Sequence, residues 1–451
     1  MLLQLLTIAK NTFIESVRQP VLFLLVMLSG IFQLFNTWNT GFAMGQEETG
    51  RITGDNKLLL DIGLATIFVI GTLLAGFIAT AVMSREIENK TVLTVVSKPV
   101  SRWVLVLGKY AGVAGAIIAA VIIMIVFLLM GIRHGVMSTA GDDLDGPVLL
   151  FTLTAVFLSL ALAGWCNYFY GWNFPQTAVA LLVPLLLLAY FLVLLISPRW
   201  KLQSIFHDLN PQVLMAAASL GMALLVLTAV ATAASTRLGQ VMTIVVCCAV
   251  FVGALLSNHF IGRYVFNNTT LGVISRVAAD DPERALFNRP GDTLNIQLLQ
   301  PANTTIPVKS PFYYSPTPNG FPMLSKDFEP FSGDLANAND IIGATARPAL
   351  VITQADRQHL RVRNVGAQPV ATLRPPIPGD YVFLGPTRIN PVALAAWIAV
   401  PNLQFFWLLD AVTQNRPIPP AYIFLVFFYA LAQIGVFLSL AVMLFQKRDV
   451  G

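Results

Sequence analysis

Eight apolar runs, each near the length of a membrane span, constrain this chain more than any other feature. A spanning helix needs about 20 mostly apolar residues. Such runs occupy residues 20–38, 58–83, 103–130, 147–168, 177–196, 212–234, 241–261 and 422–445. Only 11% of the residues are charged, against roughly a quarter in soluble domains, while 56% are hydrophobic and the mean hydropathy is +0.71. This balance excludes a soluble enzyme, a disordered protein and a nucleic-acid binder. Cys166, Cys247 and Cys248 all lie in apolar runs, as small hydrophobes rather than a disulfide framework.

An even number of spans puts both termini on one side, and Lys and Arg in short flanks decide which. One set of flanks carries Lys10, Arg18, Arg85, Lys90, Lys98, Arg102, Lys109, Arg237, Lys447 and Arg448. The opposite loops carry Arg51, Lys57, Arg133, Arg199 and Lys201, together with Glu47, Glu48, Asp142, Asp143 and Asp145. The bias predicts cytoplasmic termini, and the net charge of +5 fits cytoplasmic loops better than a polyanion partner. Trp38, Trp103, Trp172 and Trp200 stand near predicted span ends, as an aromatic belt does. Residues 1–19 read as an amphipathic interfacial helix, with Leu2, Leu5, Leu6, Ala9, Phe13 and Val17 in one stripe and Pro20 at the turn into the first span. A frayed tail is the alternative. Nothing in this segment has the pattern of a cleaved signal peptide.

Between residues 263 and 390 prolines cluster and charge returns. Residues 349–353 and 359–365 alternate and read as a hairpin, and residues 293–299 and 381–384 read as further strands. We therefore expect a polytopic α-helical membrane protein, residues 20–262, carrying an inserted extracytoplasmic β-rich, sandwich-like domain. Residues 391–416 contain Pro401, Asn402, Gln404, Asp410 and Arg416, too polar for a ninth span. We read residues 391–420 as an outer-surface amphipathic helix whose Phe405, Phe406, Leu408 and Leu409 face lipid, and residues 421–451 as the last span and a cytoplasmic tail. A weak echo between residues 160–181 and 228–248 is explained by short turns between antiparallel helices, or by duplication.

Catalytic chemistry is hard to place. There is no GxxxxGK[ST] phosphate loop; Gly108-Lys109-Tyr110 lacks its leading glycine and its hydroxyl. His134, His207, His259 and His359 show no metal-ligand spacing, and His134 with Asp142, Asp143 and Asp145 reads as a solvated loop before a cation site. The spans lack an acidic relay, which argues against ion-coupled transport. Asn267-Asn268-Thr269 and Asn303-Thr304-Thr305 match glycosylation acceptors, relevant only in a eukaryotic secretory pathway.

Residues 84–109 are the most informative. Ser84 is expected to cap a helix whose first turn holds Glu86 and Glu88, with Glu86 and Lys90 spaced for an ion pair. Val92, Leu93, Val95 and Val96 form an apolar ridge, and Pro99 ends it before Arg102. A short charged helix with such a ridge is shaped to dock in a partner's groove; otherwise its valines sit among lipid headgroups.

The run Arg85-Glu86-Ile87-Glu88-Asn89-Lys90-Thr91, then Ser97-Lys98-Pro99-Val100-Ser101-Arg102 and Gly108-Lys109, resembles the signature of permease subunits of type-2 ATP-binding-cassette exporters. The N-terminal helix is similar to that family's elbow helix. Ser235-Thr236-Arg237, Pro401-Asn402-Leu403, Asp410-Ala411 and the tail Phe445-Gln446-Lys447-Arg448-Asp449 resemble members like the permease of the nitrous-oxide-reductase maturation system. The resemblance implies a non-catalytic permease of the inner membrane, without cofactors, partnered by a separate ATPase subunit, a second permease copy or paralogue, and membrane lipids. It implies that Glu86, Glu88, Thr91, Leu93, Pro99 and Arg102 couple the chain to the ATPase. This chain has more spans than the family usually carries, and its insertion has no counterpart there. The rival reading is a scaffold or mechanical transmitter acting on an extracytoplasmic protein.

Overall fold

The computed structural model describes residues 1–39, 54–88, 101–136, 144–279, 291–302, 304, 306–318, 334, 350–364, 375–383, 385–409, 412 and 418–446. The chain divides into a helical unit, residues 1–255 with 401–451, and a second unit, residues 256–400.

The helical unit contains α1 (Leu2–Val17), α2 (Pro20–Asn39), α3 (Gly54–Glu88), α4 (Arg102–His134), α5 (Gly146–Tyr170), α6 (Phe174–Leu195), α7 (Pro211–Ser235), α8 (Gln240–Leu255) and a C-terminal helix (Pro420–Gln446). Seven of these are long and apolar enough to cross a membrane. The expected eighth span, 241–261, is broken. α8 stops at Leu255, and a π-turn, Asn258–Gly262, and one helical turn, Arg263–Val265, follow. At 1.5 Å per residue the 16-residue α8 is about 24 Å long, short of the ≈ 30 Å hydrocarbon core.

Polar caps start the helices where the sequence pairs Asx with Pro. Asp145 accepts from Val148 N at 3.2 Å, Asn173 from Gln176 N at 3.1 Å, and Asn210 from Gln212 N at 3.1 Å, each beside a proline of the first turn. Gly171, at φ 65°, ends α5 in the left-handed conformation that lets the chain reverse into α6. Hydroxyls inside the bundle return to the preceding turn: Thr72 donates to Phe68 O, Thr228 to Leu224 O and Thr232 to Thr228 O. Thus polar side chains survive in an apolar medium.

Helices α3, α4 and α7 form the centre. About two thirds of the apolar stretch of each is buried, against 22% for α5 and the C-terminal helix. The buried residues of α7 include Ala216, Ala217, Ala223, Ala229, Ala231 and Ala233, whose small side chains let neighbours approach closely. Into this centre fits a segment expected elsewhere. The described residues of this stretch, 401–409, 412 and 418, do not form a lipid-facing surface helix. Pro401 removes a donor, a 3-10 turn covers Leu403–Phe406, and Leu403, Phe406, Leu409, Val412 and Ile418 are buried in the helical core. The expectation that Phe406 and Leu409 face lipid is therefore corrected; Asp410 and Arg416 lie outside the described residues. Trp407 stacks on Phe68, which also meets Phe251 edge-on. Side chains satisfy the irregular backbone: Asn402 N donates to Tyr429 Oη at 2.9 Å, Tyr422 Oη to Phe405 O at 2.9 Å, and Ile418 N to Gln212 Oε1 at 2.8 Å. Non-helical backbone is tolerated at membrane depth only with such partners.

The second unit opens with the turns at Asn258–Val265 and closes with α9, Pro391–Ala399; the C-terminal helix is accordingly α10. Strands β1 (Phe266–Asn267) and β8 (Arg388–Ile389) pair, bringing the entry and exit of the unit together. Trp397 of α9 seals this base, donating to Asn258 Oδ1 at 3.1 Å and meeting Phe266 edge-on. Between them lie β2 (Thr270–Ala279), β3 (Thr293–Leu298), β4 (Tyr313–Ser315), β5 (Leu350–Ala355), β6 (His359–Asn364) and β7 (Tyr381–Phe383). They form one antiparallel sheet in the order β4-β7-β2-β3-β6-β5. The expected hairpin is β5–β6. The sheet curls until β5 meets the chain leading into β4: Lys309 N donates to Ile352 O and Phe312 N to Leu350 O, both at 2.8 Å. The two layers expected of a sandwich are the two halves of this curled sheet, sharing β2. Bulges in β2 and β5 supply the bending. Ile274, Leu294, Ile296, Leu298, Phe312, Tyr314, Leu360 and Val362 fill its interior.

Candidate functional site

The segment that carries the resemblance joins α3 to α4, so the candidate site is the end of the bundle where these helices meet. Helix α3 does not stop at Ser84 but runs to Glu88. Ser84 is therefore not a cap, and Glu86 and Glu88 lie in the last turns of α3 rather than the first turn of a new helix. The sequence explains this: Arg85-Glu86-Ile87-Glu88 contains neither Gly nor Pro and continues the helix. Thr91, Leu93 and Pro99 lie outside the described residues; Arg102 opens α4.

Arg102 Nη1 donates to Gln446 O at 2.7 Å, and Arg237, just past α7, donates through Nε to Leu444 O at 3.0 Å. Both acceptors are in the final turn of α10, where carbonyls have no helical partner and the helix dipole is negative. Two arginines, one opening α4 and one just past α7, thus grip one helix end. Beneath them Met83, Leu105, Val106, Ala233, Ala441 and Phe445 form a compact apolar cluster, with Ile8 of α1 against it. Lys109, nearly fully buried, donates to Val82 O at 3.2 Å and ties α4 to α3.

Helix α1 braces the same end. It lies along α4 through Ile8, Ala9, Thr12 and Phe13, and the glycines of α4 make the room. A Cβ on Gly108 would stand 2.8 Å from Ile8, and one on Gly112 only 2.5 Å from Ala9 O and Thr12 Cβ. Leu2, Leu3 and Leu6 on the other side of α1 stay exposed, as an interfacial helix requires. At its end, Arg18 Nε donates to Gln176 Oε1 at 2.7 Å, joining α1 to the start of α6. The sequence singled out Gly108-Lys109, Ser235-Thr236-Arg237 and Phe445-Gln446 separately. Their meeting at one place is a tertiary fact that spacing does not carry.

The opposite end is held by a cluster that the sequence reading missed. Arg133 Nη1 lies 2.6 Å from Asp145 Oδ2 and its Nε 2.7 Å from Asp208 Oδ2, while Nη2 donates to Ile196 O at 3.3 Å. Gln203 also donates to Asp208. Asp145, read as part of a solvated loop, is instead buried as both helix cap and ion-pair partner. Its signal was the Asp-Gly-Pro run at 145–147, an N-cap followed by a first-turn proline. Among the described residues no three His, Cys, Asp or Glu side chains group as metal ligands.

No curated protein and no solved structure matches the chain. Residues 6–165 match the family model described as ABC-2 family transporter protein. The match is to the family at large; nothing in it points to the nitrous-oxide-reductase maturation system. It runs from α1 through most of α5 and takes in the α3–α4 junction, a similarity confined to this N-terminal stretch.

Proposed function

We propose that this chain is the permease subunit of an ATP-driven exporter of the cytoplasmic membrane, coupled to a separate ATPase through residues 84–102 and paired with a second permease copy or paralogue. Both termini and the α3–α4 junction face the cytoplasm, and residues 263–390 lie outside. The gathering of α1, α3, α4, α7 and α10 at one end carries this reading. A push on the α3–α4 junction would displace the first turn of α4, and Arg102 would pass the displacement to α10. Helix α1, keyed into Gly108 and Gly112, would move with α4. Within this reading Glu86, Glu88, Thr91, Leu93, Pro99 and Arg102 serve coupling, and hydrolysis belongs to the partner. Leu93→Asp places a charge on the ridge. We expect the protein to insert normally but to lose ATPase copurification, or stimulation of ATP hydrolysis, by at least about tenfold, since burying an unpaired charge costs several kcal/mol. A variant complex that assembles and hydrolyses like wild type would refute docking through this segment.

The curled sheet of the second unit, with its own core, favours one second reading, a transmitter whose ATP-driven motion acts on an extracytoplasmic protein. Reconstituted vesicles that couple hydrolysis to cargo efflux without such a protein would exclude it.

A further inference from the structure

The second unit carries an organised polar face that the transport reading does not use. Strands β2, β3, β6 and β5 lie side by side, and their registers align outward-facing residues in two rows across them. Arg276 stands opposite Gln297, itself opposite His359; Ala278 stands opposite Asn295, then Arg361, then Gln354. Side chains alternate along a strand. Leu294, Ile296, Leu298, Leu360 and Val362 take the interior, so these rows face outward. They line a depression of about 630 Å³. Charge on these four strands and the β5–β6 hairpin is one-sided: Arg276, Arg357, Arg361 and Arg363, with His359, against Asp356.

We infer that this face docks an acidic, carboxylate-bearing segment of a protein partner. Arginine forks match carboxylates in paired hydrogen bonds. Arg276 and Arg361 flank β3 and are offset by two residues along it, which places them about 12 Å apart by strand spacing and rise. Carboxylates at positions i and i+4 of an extended chain lie about 13 Å apart. The carboxamides of Asn295 and Gln297 stand between the arginines, where they can both donate to and accept from a peptide backbone. Two other modes fit less well. The free edge of β5 is taken by residues 309–312, so a partner cannot simply add a strand there. Among the described residues no Phe, Tyr or Trp lines the depression, so a single-stranded nucleic acid finds no stacking platform.

This surface stands or falls apart from the transport reading, because its test needs neither an ATPase nor a cargo. The full chain in nanodiscs of uncharged lipid is titrated with a labelled polyglutamate peptide and followed by fluorescence anisotropy. We expect binding that weakens with salt, and at least about tenfold weaker binding in the Arg276→Gln/Arg361→Gln variant. The Arg276→Lys/Arg361→Lys variant, which keeps charge but loses the fork, should fall between. The Arg276→Glu/Arg361→Glu variant should prefer polylysine, a gain that a merely damaged domain would not show. No binding by wild type, or equal binding by the glutamine variant, overturns the inference. So does tighter arginine-dependent binding to anionic vesicles or to a sulfated oligosaccharide, which would assign the face to lipid or glycan.

Discussion

At the scale of single residues, the sharpest test lies at Arg133. Its guanidinium faces two carboxylates and a backbone carbonyl, and both Arg133 and Asp145 are nearly excluded from solvent. A buried ion pair adds little over a well-packed neutral group, but removing one partner is costly because the other charge stays buried. Arg133→Ala should therefore destabilise the protein by about 3–5 kcal/mol, read as a lower melting temperature in detergent. The triple change Arg133→Met, Asp145→Asn, Asp208→Asn should recover most of this, since Asn still caps α5. Wild-type melting of Arg133→Ala would show that the cluster contributes nothing. Sequence alone could not pair Arg133 with Asp208, because the two are 75 positions apart and join only when α4 and the loop before α7 meet.

At the scale of elements, long helices were legible and irregular ones were not. Seven spans follow directly from length and hydropathy, because a bilayer imposes one period and one minimum length. Strand β2 escaped notice although it is the longest strand, since Gly272, Ser275 and two bulges interrupt its alternation. The end of α3 was misplaced because Ser84 looked like a cap, and a cap signal inside a sequence of good helix formers is weak. The docking of α1 on α4 was half legible: the amphipathic stripe was visible, while of the glycine track that receives the helix only Gly108 was singled out, as part of a signature. That track yields a prediction. Gly112→Val puts methyl groups where a Cβ already meets the backbone of Ala9, and overpacking of this kind costs about 1–3 kcal/mol. Trypsin should then cut faster at Lys10 as α1 lifts from α4. At Gly115 a Cβ meets only the ring of Phe13 at 3.1 Å, and a ring can turn aside. Gly115→Ala should thus leave the cleavage rate near wild type. Equal rates in all three proteins would mean that the glycines do not hold α1.

At the scale of the whole molecule, the combination of apolar helices with a β-rich region was legible, because composition changes sharply where prolines and charge return after the seventh apolar run. The sequence could not show that the insertion closes into one curled sheet, since closure depends on residues 309–312 reaching β5 across some 40 positions. Topology is where the break after α8 matters most. Counting α8 with the turns beyond Leu255 as one crossing gives eight spans and cytoplasmic termini, with the second unit outside. If α8 stopped within the membrane and turned back, the second unit would share the side of the α7–α8 turn, whose Arg237 belongs to the cation-rich end. Reversing the bundle instead would send Lys10, Arg18, Arg102 and Lys109 outward, against the positive-inside bias. We therefore expect a single cysteine at the exposed position Leu299, introduced after Cys166, Cys247 and Cys248 are replaced, to react with an impermeant maleimide in intact cells. A C-terminal fluorescent reporter active only in the cytoplasm should be bright in the same cells. Labelling of Leu299→Cys only after permeabilisation, with a bright reporter, would mean that α8 does not cross and α10 is re-entrant too. A dark reporter with labelled Leu299→Cys would mean that residues 401–418 and α10 do not return the chain to the cytoplasm, and the grip of Arg102 and Arg237 on α10 would then have to be abandoned as well.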